Sequence, residues 1–126
     1  MGAVARPADD PEAHLPLPAS VMHIVVALAE GEKHGYAIMR DVADLSGGVV
    51  RMGSGTLYTA IKRMLDQGLI EETDERPDPA MDDQRRRYYR LTALGQRVGA
   101  AEHARLSALL DAARLRQLGV RPRGAW

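Results

Sequence analysis

The sequence predicts a mainly α-helical fold with a small β-ribbon. A short amphipathic helix over residues 53–67 runs directly into a strand that starts at Leu69. After a turn, an arginine-rich strand returns over residues 84–91. A helix followed by such a ribbon is the layout of a winged helix-turn-helix, in which the helix enters a DNA major groove and the ribbon straddles the backbone.

Composition sets limits on the kind of protein. At 126 residues the chain fits one domain with an appended helix. Phenylalanine is absent and tryptophan occurs once, so aliphatic residues and methionine must form the core. The absence of cysteine excludes disulfides and thiolate zinc sites. Neither a membrane-spanning run nor a signal peptide is evident, so we expect a soluble, cytoplasmic protein without a membrane partner.

The charge is balanced overall but segregated locally. The formal net charge is +0, whereas nucleic-acid-binding domains are usually basic. Much of the negative charge lies between residues 71 and 83, and four arginines follow directly: Arg85, Arg86, Arg87 and Arg90. A locally basic strand can still contact phosphates, although its acidic neighbours should weaken non-specific binding.

The first half of the chain predicts a disordered tail and three helices. Residues 1–16 lack periodicity and are predicted to be disordered. Apolar spacing predicts helices over residues 18–29 and 35–45, which end at glycines. Ser54 is the expected N-cap of the third helix, which Gly68 ends. Residues 17–92 would form the winged helix-turn-helix domain.

The second half predicts strands over residues 69–76 and 84–91, joined by a turn that includes Asp82 and Asp83. Thr92 should cap a last helix over residues 93–118, followed by a flexible tail over 119–126. The apolar stripe of this helix is too wide for a helix resting on one small domain, which indicates a second copy of the chain as its partner. The expected dimer contacts are Val21, Leu94, Val98, Leu106, Leu109, Leu110 and Ala113.

The third helix has the residues of a DNA-recognition helix. Small residues in its first turn, Ser54 and Thr56, allow close approach to the duplex, where free N–H groups suit phosphate. Further along, Thr59, Lys62 and Arg63 could reach base edges or phosphates, and Tyr58 could reach the backbone. The alternative is an ordinary solvated face with a packed tyrosine.

The returning strand divides its arginines between two faces. Because side chains alternate along a strand, Arg85 and Arg87 share one face, while Arg86 shares the other with Tyr88. We expect phosphate contact from this strand; the alternative is an edge strand whose charges prevent aggregation.

Catalytic and metal-binding patterns are not found. The four histidines are scattered without an i, i+4 pair, and the acidic turn lacks the spacing of a calcium loop. No catalytic arrangement or phosphate-cradling glycine loop appears. The sequence therefore predicts neither an enzyme nor a cofactor or metal site.

At three motifs the sequence resembles the PadR family of bacterial transcriptional regulators. These are His34-Gly35-Tyr36-Ala37-Ile38, Gly55-Thr56-Leu57-Tyr58 with Gly68-Leu69-Ile70, and the wing return from Arg86 to Gly95. The resemblance covers residues 16–118. The short subgroup with a single C-terminal helix fits best.

The resemblance implies a homodimeric repressor that is released from DNA by stress or by a small-molecule effector. The two-fold symmetry of such a dimer predicts a palindromic operator. The expected place for an apolar effector is the dimer interface. It adds Tyr36 to the expected DNA contacts. Three features depart from the family pattern: Thr59 replaces a common proline, Gly99 lies within the dimer helix, and the first wing strand is unusually acidic. A second hypothesis is a winged helix used only for protein–protein assembly, which the neutral charge would fit.

Overall fold

The computed structural model of the chain describes residues 9–78 and 81–119, and side chains within these ranges except over 76–78 and 81–85. A short 3-10 helix at Pro11–His14 comes first. It is followed by α1 (Ala19–Leu28), β1 (Lys33–His34), α2 (Gly35–Leu45), α3 (Ser54–Asp66), β2 (Ile70–Asp78), β3 (Met81–Leu91) and α4 (Ala93–Leu115). This order confirms the predicted winged helix-turn-helix with a C-terminal helix.

The ends of α2 and α3 are set by local interactions, and the predicted cap of α3 needs a correction. The His34 side chain accepts a hydrogen bond from the Ala37 N–H at 3.1 Å and so caps α2. Ser54 was predicted to cap α3, but the cap residue is Gly53, and no side chain makes a capping bond there. Ser54 instead occupies the first turn of the helix. Gly68, at a φ of 74°, ends α3 in the left-handed conformation that glycine adopts readily.

The sheet has three strands, in the order β1-β3-β2 and all antiparallel. The sequence predicted only β2 and β3, because a two-residue strand such as β1 has no recognisable pattern. β1 pairs Lys33 with Tyr89 and His34 with Tyr88, which joins the entry of α2 to the wing. The predicted turn was too long, since Asp82 and Asp83 lie in β3.

The core lies where α1, α2 and α3 meet the sheet. Its largest fully buried side chains are aliphatic, as the composition requires: Ile24, Leu28, Ile38, Leu57, Ile61, Met64, Leu69 and Ile70 are each at most 2% exposed. Three of these, Leu57, Ile61 and Met64, form the inner face of α3. The helix can therefore expose only its opposite face.

Two glycines let α4 lie close to the domain. Thr92 caps the helix as predicted, by accepting a hydrogen bond from the Gly95 N–H at 3.0 Å. A Cβ on Gly95 would collide with the backbone carbonyl oxygen of Leu69, and one on Gly99 would lie 2.8 Å from Val25 in α1. The departure from the family pattern at Gly99 thus permits close approach between α4 and α1.

A buried carboxylate joins the N-terminal segment to α4. Glu102 is 1% exposed and accepts a hydrogen bond from the Leu17 N–H at 2.8 Å. Arg105, one turn later, donates two hydrogen bonds to the same carboxylate. Residues 9–16 were predicted to be disordered, which is wrong, since a 3-10 helix forms here and packs against α4. No local pattern in the sequence indicates this contact, because it joins residues 85 positions apart.

The C-terminal half of α4 extends past the domain. The helix has 23 residues and is therefore about 35 Å long. Its buried stripe of Gly95, Val98 and Glu102 continues along the same face as Leu106 and Leu109. Burial declines along this stripe, from Val98 at 0% exposed to Leu109 at 59%. Within the described residues, no helix is long and apolar enough to cross a membrane.

The Glu102 contact predicts a specific dependence of stability on pH. Hydrogen bonds from Arg105 lower the pKa of Glu102 below its ordinary 4.5, and they outweigh the opposing effect of burial. A carboxyl whose pKa is lowered on folding stabilises the fold above the unfolded-state pKa, and this contribution is lost as the pH falls through the lower folded-state value. We therefore expect the wild-type protein to lose stability as the pH falls below about 4.5.

The substitution Glu102→Gln tests this expectation. The free energy of unfolding at pH 7 should fall by about 1–3 kcal/mol, because a charged hydrogen-bond acceptor becomes neutral. The loss should shrink as the pH is lowered. The control is Glu72→Gln, an exposed carboxylate, which should change stability by less than about 0.5 kcal/mol. Urea unfolding at pH values from 7 down to about 3 measures both, and a loss that stays constant over this range would contradict the role of the Glu102 charge.

Candidate nucleic-acid interface

The exposed face of α3 is centred on Thr59. This residue lies about 140–160° around the helix axis from the buried Leu57, Ile61 and Met64. The flanking residues Lys62 and Arg63 are also exposed. Among the residues that the structure describes, neither cation is held in an ion pair. The ammonium group of Lys62 and the guanidinium group of Arg63 are therefore available to an anionic partner.

The first two turns of this face present small groups. Ser54, Gly55 and Thr56 are exposed, and Ala60 is half-buried. The Thr59 hydroxyl donates to the Gly55 carbonyl oxygen at 2.8 Å. Asp66, two turns after Thr59 on the same face, brings a negative charge to the C-terminal end. Phosphates would be repelled there, so the N-terminal part of α3 is the better suited to a duplex.

An open groove runs along one flank of α3. It lies between the start of α1 and α3 and has a volume of about 590 Å³. Its lining combines small polar and apolar residues with one cation: Pro18, Ser20, Val21, Gly55, Thr56, Thr59, Ala60 and Arg63. A guanidinium at the edge of a shallow groove beside small side chains suits the approach of a sugar-phosphate strand.

Tyr58 lies at the contact between α3 and the start of α2. Its hydroxyl is so close to Gly35 that a Cβ on that residue would lie within 2.5 Å of it. The ring is nevertheless 47% exposed. Behind it lies Tyr89 of β3, which is buried, and whose pKa is raised chiefly by that burial and further by Tyr58. Tyr58 thus packs against α2 while part of its side chain remains exposed to solvent. Both predicted roles, a packed tyrosine and a residue able to reach the DNA backbone, are compatible with this position.

Tyr36 joins α2 to the wing. The guanidinium of Arg86 lies 5.6 Å from the centre of its ring, and that of Arg40 lies 5.9 Å from it. Both distances are within the range of cation–π attraction. Tyr88, on the same face of β3 as Arg86, packs edge-to-face on His34 at 5.4 Å. The ring of Tyr36 therefore attracts two cations, one from α2 and one from β3.

The wing arginines differ in their partners. Arg90 bonds to Glu71 at 2.7 Å, and Arg87 lies 3.9 Å from Glu72. Both pairs join β3 to the acidic β2. Exposed pairs of this kind are worth only about 0–1 kcal/mol, so a phosphate can compete for the arginine. The side chain of Arg85 lies outside the described residues, and its backbone pairs with Pro77.

These pairs account for part of the acidic character of β2. Two carboxylates of β2 face arginines of β3 and reduce the net positive charge of the wing. Arg86, which lies over Tyr36, is on the opposite face of the strand from Arg87, as alternation predicted. The exposed cations of α3, which have no ion pair within the described residues, are consequently better placed for a phosphate than Arg87 and Arg90.

Arg40 is not among the DNA contacts predicted from the sequence. It lies on the exposed side of α2, and nothing in the local pattern distinguishes it from any other exposed arginine. Its spacing of four residues from Tyr36 was the one available signal, because i and i+4 side chains meet on a helix.

The predicted dimer contacts divide into two groups. Val21 and Val98 are buried in the core of the protomer, and Leu94 packs against that core. Because the side chain of Val98 is 0% exposed, it has no surface left to contact a second chain, contrary to its predicted place in the interface. The remaining residues lie on the overhanging half of α4: Leu106 and Ala113 are half-buried, and Leu109 and Leu110 are exposed.

Metal ligands are not clustered in the described part of the chain. There, no group of three histidine, aspartate or glutamate side chains is arranged to hold a metal ion. The chain has no cysteine.

Several solved structures share this fold. A transcriptional regulator from Clostridium thermocellum has a TM-score of 0.61 at 22% identity, over 75% of this chain and 86% of that one. A PadR family transcription regulator from Clostridium difficile R20291 has a TM-score of 0.64 at 22% identity, over 78% of this chain and 97% of that one. Bacillus subtilis PadR in complex with operator DNA has a TM-score of 0.56 at 22% identity, over 72% of this chain and 48% of that one.

The solved structures show a shared fold, whereas a match to a family model shows the family. No curated protein matches the chain. The model described as the transcriptional regulator PadR-like family matches residues 24–101, which is more than half of the chain and includes α2, α3, the wing and the start of α4. The family and these neighbours are transcriptional regulators and not enzymes. The chain belongs to the PadR-like family of transcriptional regulators, which bind DNA.

Proposed function

We propose that this protein is a homodimeric repressor that binds a palindromic operator through the exposed face of α3. The observation that carries the proposal is the arrangement of α3. Its apolar face is fully buried, while Lys62 and Arg63 stand exposed beside small side chains. Two such helices related by a two-fold axis would read half-sites about one helical turn or more apart.

The wing and α2 supply the contacts that set the position of α3 on the duplex. Arg40 and Arg86 both lie against the ring of Tyr36 at the start of α2, where Tyr58 of α3 packs against Gly35. Phosphate contacts fix the register of a protein on DNA without reading its sequence. We assign this role to Arg40 and Arg86, and assign base contacts to Thr59, Lys62 and Arg63, with Ser54, Thr56 and Tyr58 close to the backbone.

Alanine substitution of Lys62 or Arg63 should weaken operator binding. A lost bidentate contact between Arg63 and a guanine would cost about 1–3 kcal/mol, or about five- to 150-fold in Kd. The matched control is Arg97→Ala, an exposed arginine on the face of α4 opposite the leucine stripe, which should leave Kd unchanged. Fluorescence anisotropy with operator DNA at fixed salt measures all three, and unaltered binding by both α3 variants would refute the assignment.

Arg86→Ala should reduce the salt dependence of binding. Each phosphate contact contributes about 0.9 to the slope of log K against log salt, so the slope should fall by about that amount. Replacing Tyr36 with Leu should have a smaller effect of the same sign, because the ring that orients Arg86 is lost. Tyr36→Phe keeps the ring and should retain the slope. A slope that is unchanged in Arg86→Ala would remove this arginine from the interface.

The salt series also tests the alternative of a winged helix used only for protein–protein assembly. Family membership and the exposed cations of α3 support DNA binding. A DNA-binding protein loses affinity steeply as salt rises. Failure of the purified protein to bind its own upstream DNA at low salt would support the alternative.

Homodimerisation is supported by the overhanging half of α4. The stripe is buried at one end, and at its other end its leucines are not covered by any residue of the part of the chain that the structure describes. Such a stripe on a terminal helix is suited to a second copy of the same helix, because a two-fold interface uses the same patch on both chains. The covering copy would bury Leu106, Leu109, Leu110 and Ala113.

Leu106→Asp or Leu110→Asp should therefore yield monomers. Burial of a carboxylate in an apolar interface is strongly unfavourable, and weaker operator binding should follow because the two half-sites are no longer bound together. The control, Val49→Asp, places the same charge at a residue that is 87% exposed in a loop. Light scattering of the three variants decides the point, and persistent dimers of both α4 variants would exclude this interface.

A shallow groove between α1 and α4 supports an apolar effector. Its volume is about 260 Å³, and its lining is mainly apolar, with Met22, Val25, Val26 and Leu91 beside Gly99. A second α4 lying over this groove would enclose it. A ligand bound there could change the angle between the two DNA-binding domains, which is the simplest route to release of a repressor.

A further inference from the structure

We infer that Thr59 determines part of the sequence specificity by contacting the 5-methyl group of a thymine. This inference rests on the DNA-binding function proposed above. Thr59 stands at the middle of the exposed face of α3, with Lys62 to one side and Arg63 to the other. When a helix enters a major groove, the central residue of its outer face is nearest the base edges. The thymine methyl group lies in that groove.

The orientation of the Thr59 side chain determines which group it can offer to a base. Its hydroxyl donates its hydrogen to the Gly55 carbonyl oxygen at 2.8 Å. The hydroxyl hydrogen is therefore engaged within the helix, as is common for helical threonine. The hydroxyl oxygen can then only accept a further hydrogen bond, and the Cγ2 methyl is the apolar group that this exposed side chain offers. Apolar contact between a threonine methyl and a thymine methyl is one of the recurrent forms of base readout.

The surroundings of Thr59 allow the approach that such a contact requires. Gly55, one turn earlier, has no side chain, and nothing lies within 4 Å of the place where its Cβ would stand. Thr56 and Ala60 are short, so a base edge can reach the methyl without meeting a longer side chain. Exposed cations on both sides complement the phosphates that border the groove.

The experiment first needs a DNA site, which can be selected from random 30-base-pair duplexes with the full-length protein. Each thymine of the selected site is then replaced in turn by uracil, which removes only the methyl group. At one thymine per half-site, the wild-type protein should bind about fourfold more weakly after replacement, as expected for one buried methyl. Replacement elsewhere should have little effect.

Three variants identify the protein group that makes the contact. Thr59→Ser keeps the hydroxyl and removes the methyl, so it should bind thymine and uracil at that position equally. Thr59→Val keeps the methyl and removes the hydroxyl, so it should retain the preference for thymine. Thr92→Ser is the matched control, since Thr92 is the N-cap of α4, and it should keep the wild-type preference.

The outcomes separate this inference from the proposed function. Selection of no sequence would remove specific DNA binding, and the inference with it. A selected site that tolerates uracil at every position would overturn the inference alone, as would a thymine preference that persists in Thr59→Ser. Loss of the preference in Thr59→Ser, with retention in Thr59→Val and Thr92→Ser, supports it.

Discussion

The complete burial of one face of α3 is the constraint on which the proposed interface depends. Leu57, Ile61 and Met64 are each at most 2% exposed. Because the helical period is fixed, burial of these three determines the direction of every other side chain on the helix. Rotation of α3 by one residue would expose part of the core and turn Thr59 toward the side. Hydrophobic packing therefore determines where the polar residues proposed to contact DNA lie, although the packed residues themselves face away from that surface.

The distribution of charge explains how a chain with no net charge can present a basic surface. Carboxylates on β2 face Arg87 and Arg90 of β3, whereas the cations of α3 and the group around Tyr36 lie elsewhere. Electrostatic attraction of phosphate falls off over about 10 Å at ordinary ionic strength, so the local arrangement matters more than the sum. Pairing along the wing should also reduce binding to arbitrary DNA, because that binding depends almost wholly on charge.

The long helix α4 has two environments along its length. Its first half is fixed to the domain by small residues, Gly95 and Gly99, and by the Glu102 carboxylate, which also holds the N-terminal segment. Its second half carries exposed leucines. A helix that is rigidly attached at one end can transmit the position of its free end to the recognition helix. This arrangement gives a physical basis for coupling between the proposed dimer interface and DNA binding, since a shift of α4 must move the domain to which it is fixed.

The sequence alone determined the fold class, the faces of α2 and α3 and the capping of α4, because these depend on period, glycine position and short-range hydrogen bonds. The contacts between distant residues were decided by tertiary structure. Lys33 and His34 became a strand only through pairing with β3, and the segment that precedes α1 packs on α4, where Glu102 accepts a hydrogen bond from the Leu17 N–H. Likewise, strand alternation placed Arg86 and Arg87 on opposite faces, but only packing brought Arg86 to the ring of Tyr36 and Arg87 to Glu72. Helices, strands and caps depend on residues that are close in sequence, whereas the partner of a side chain depends on how the whole chain folds.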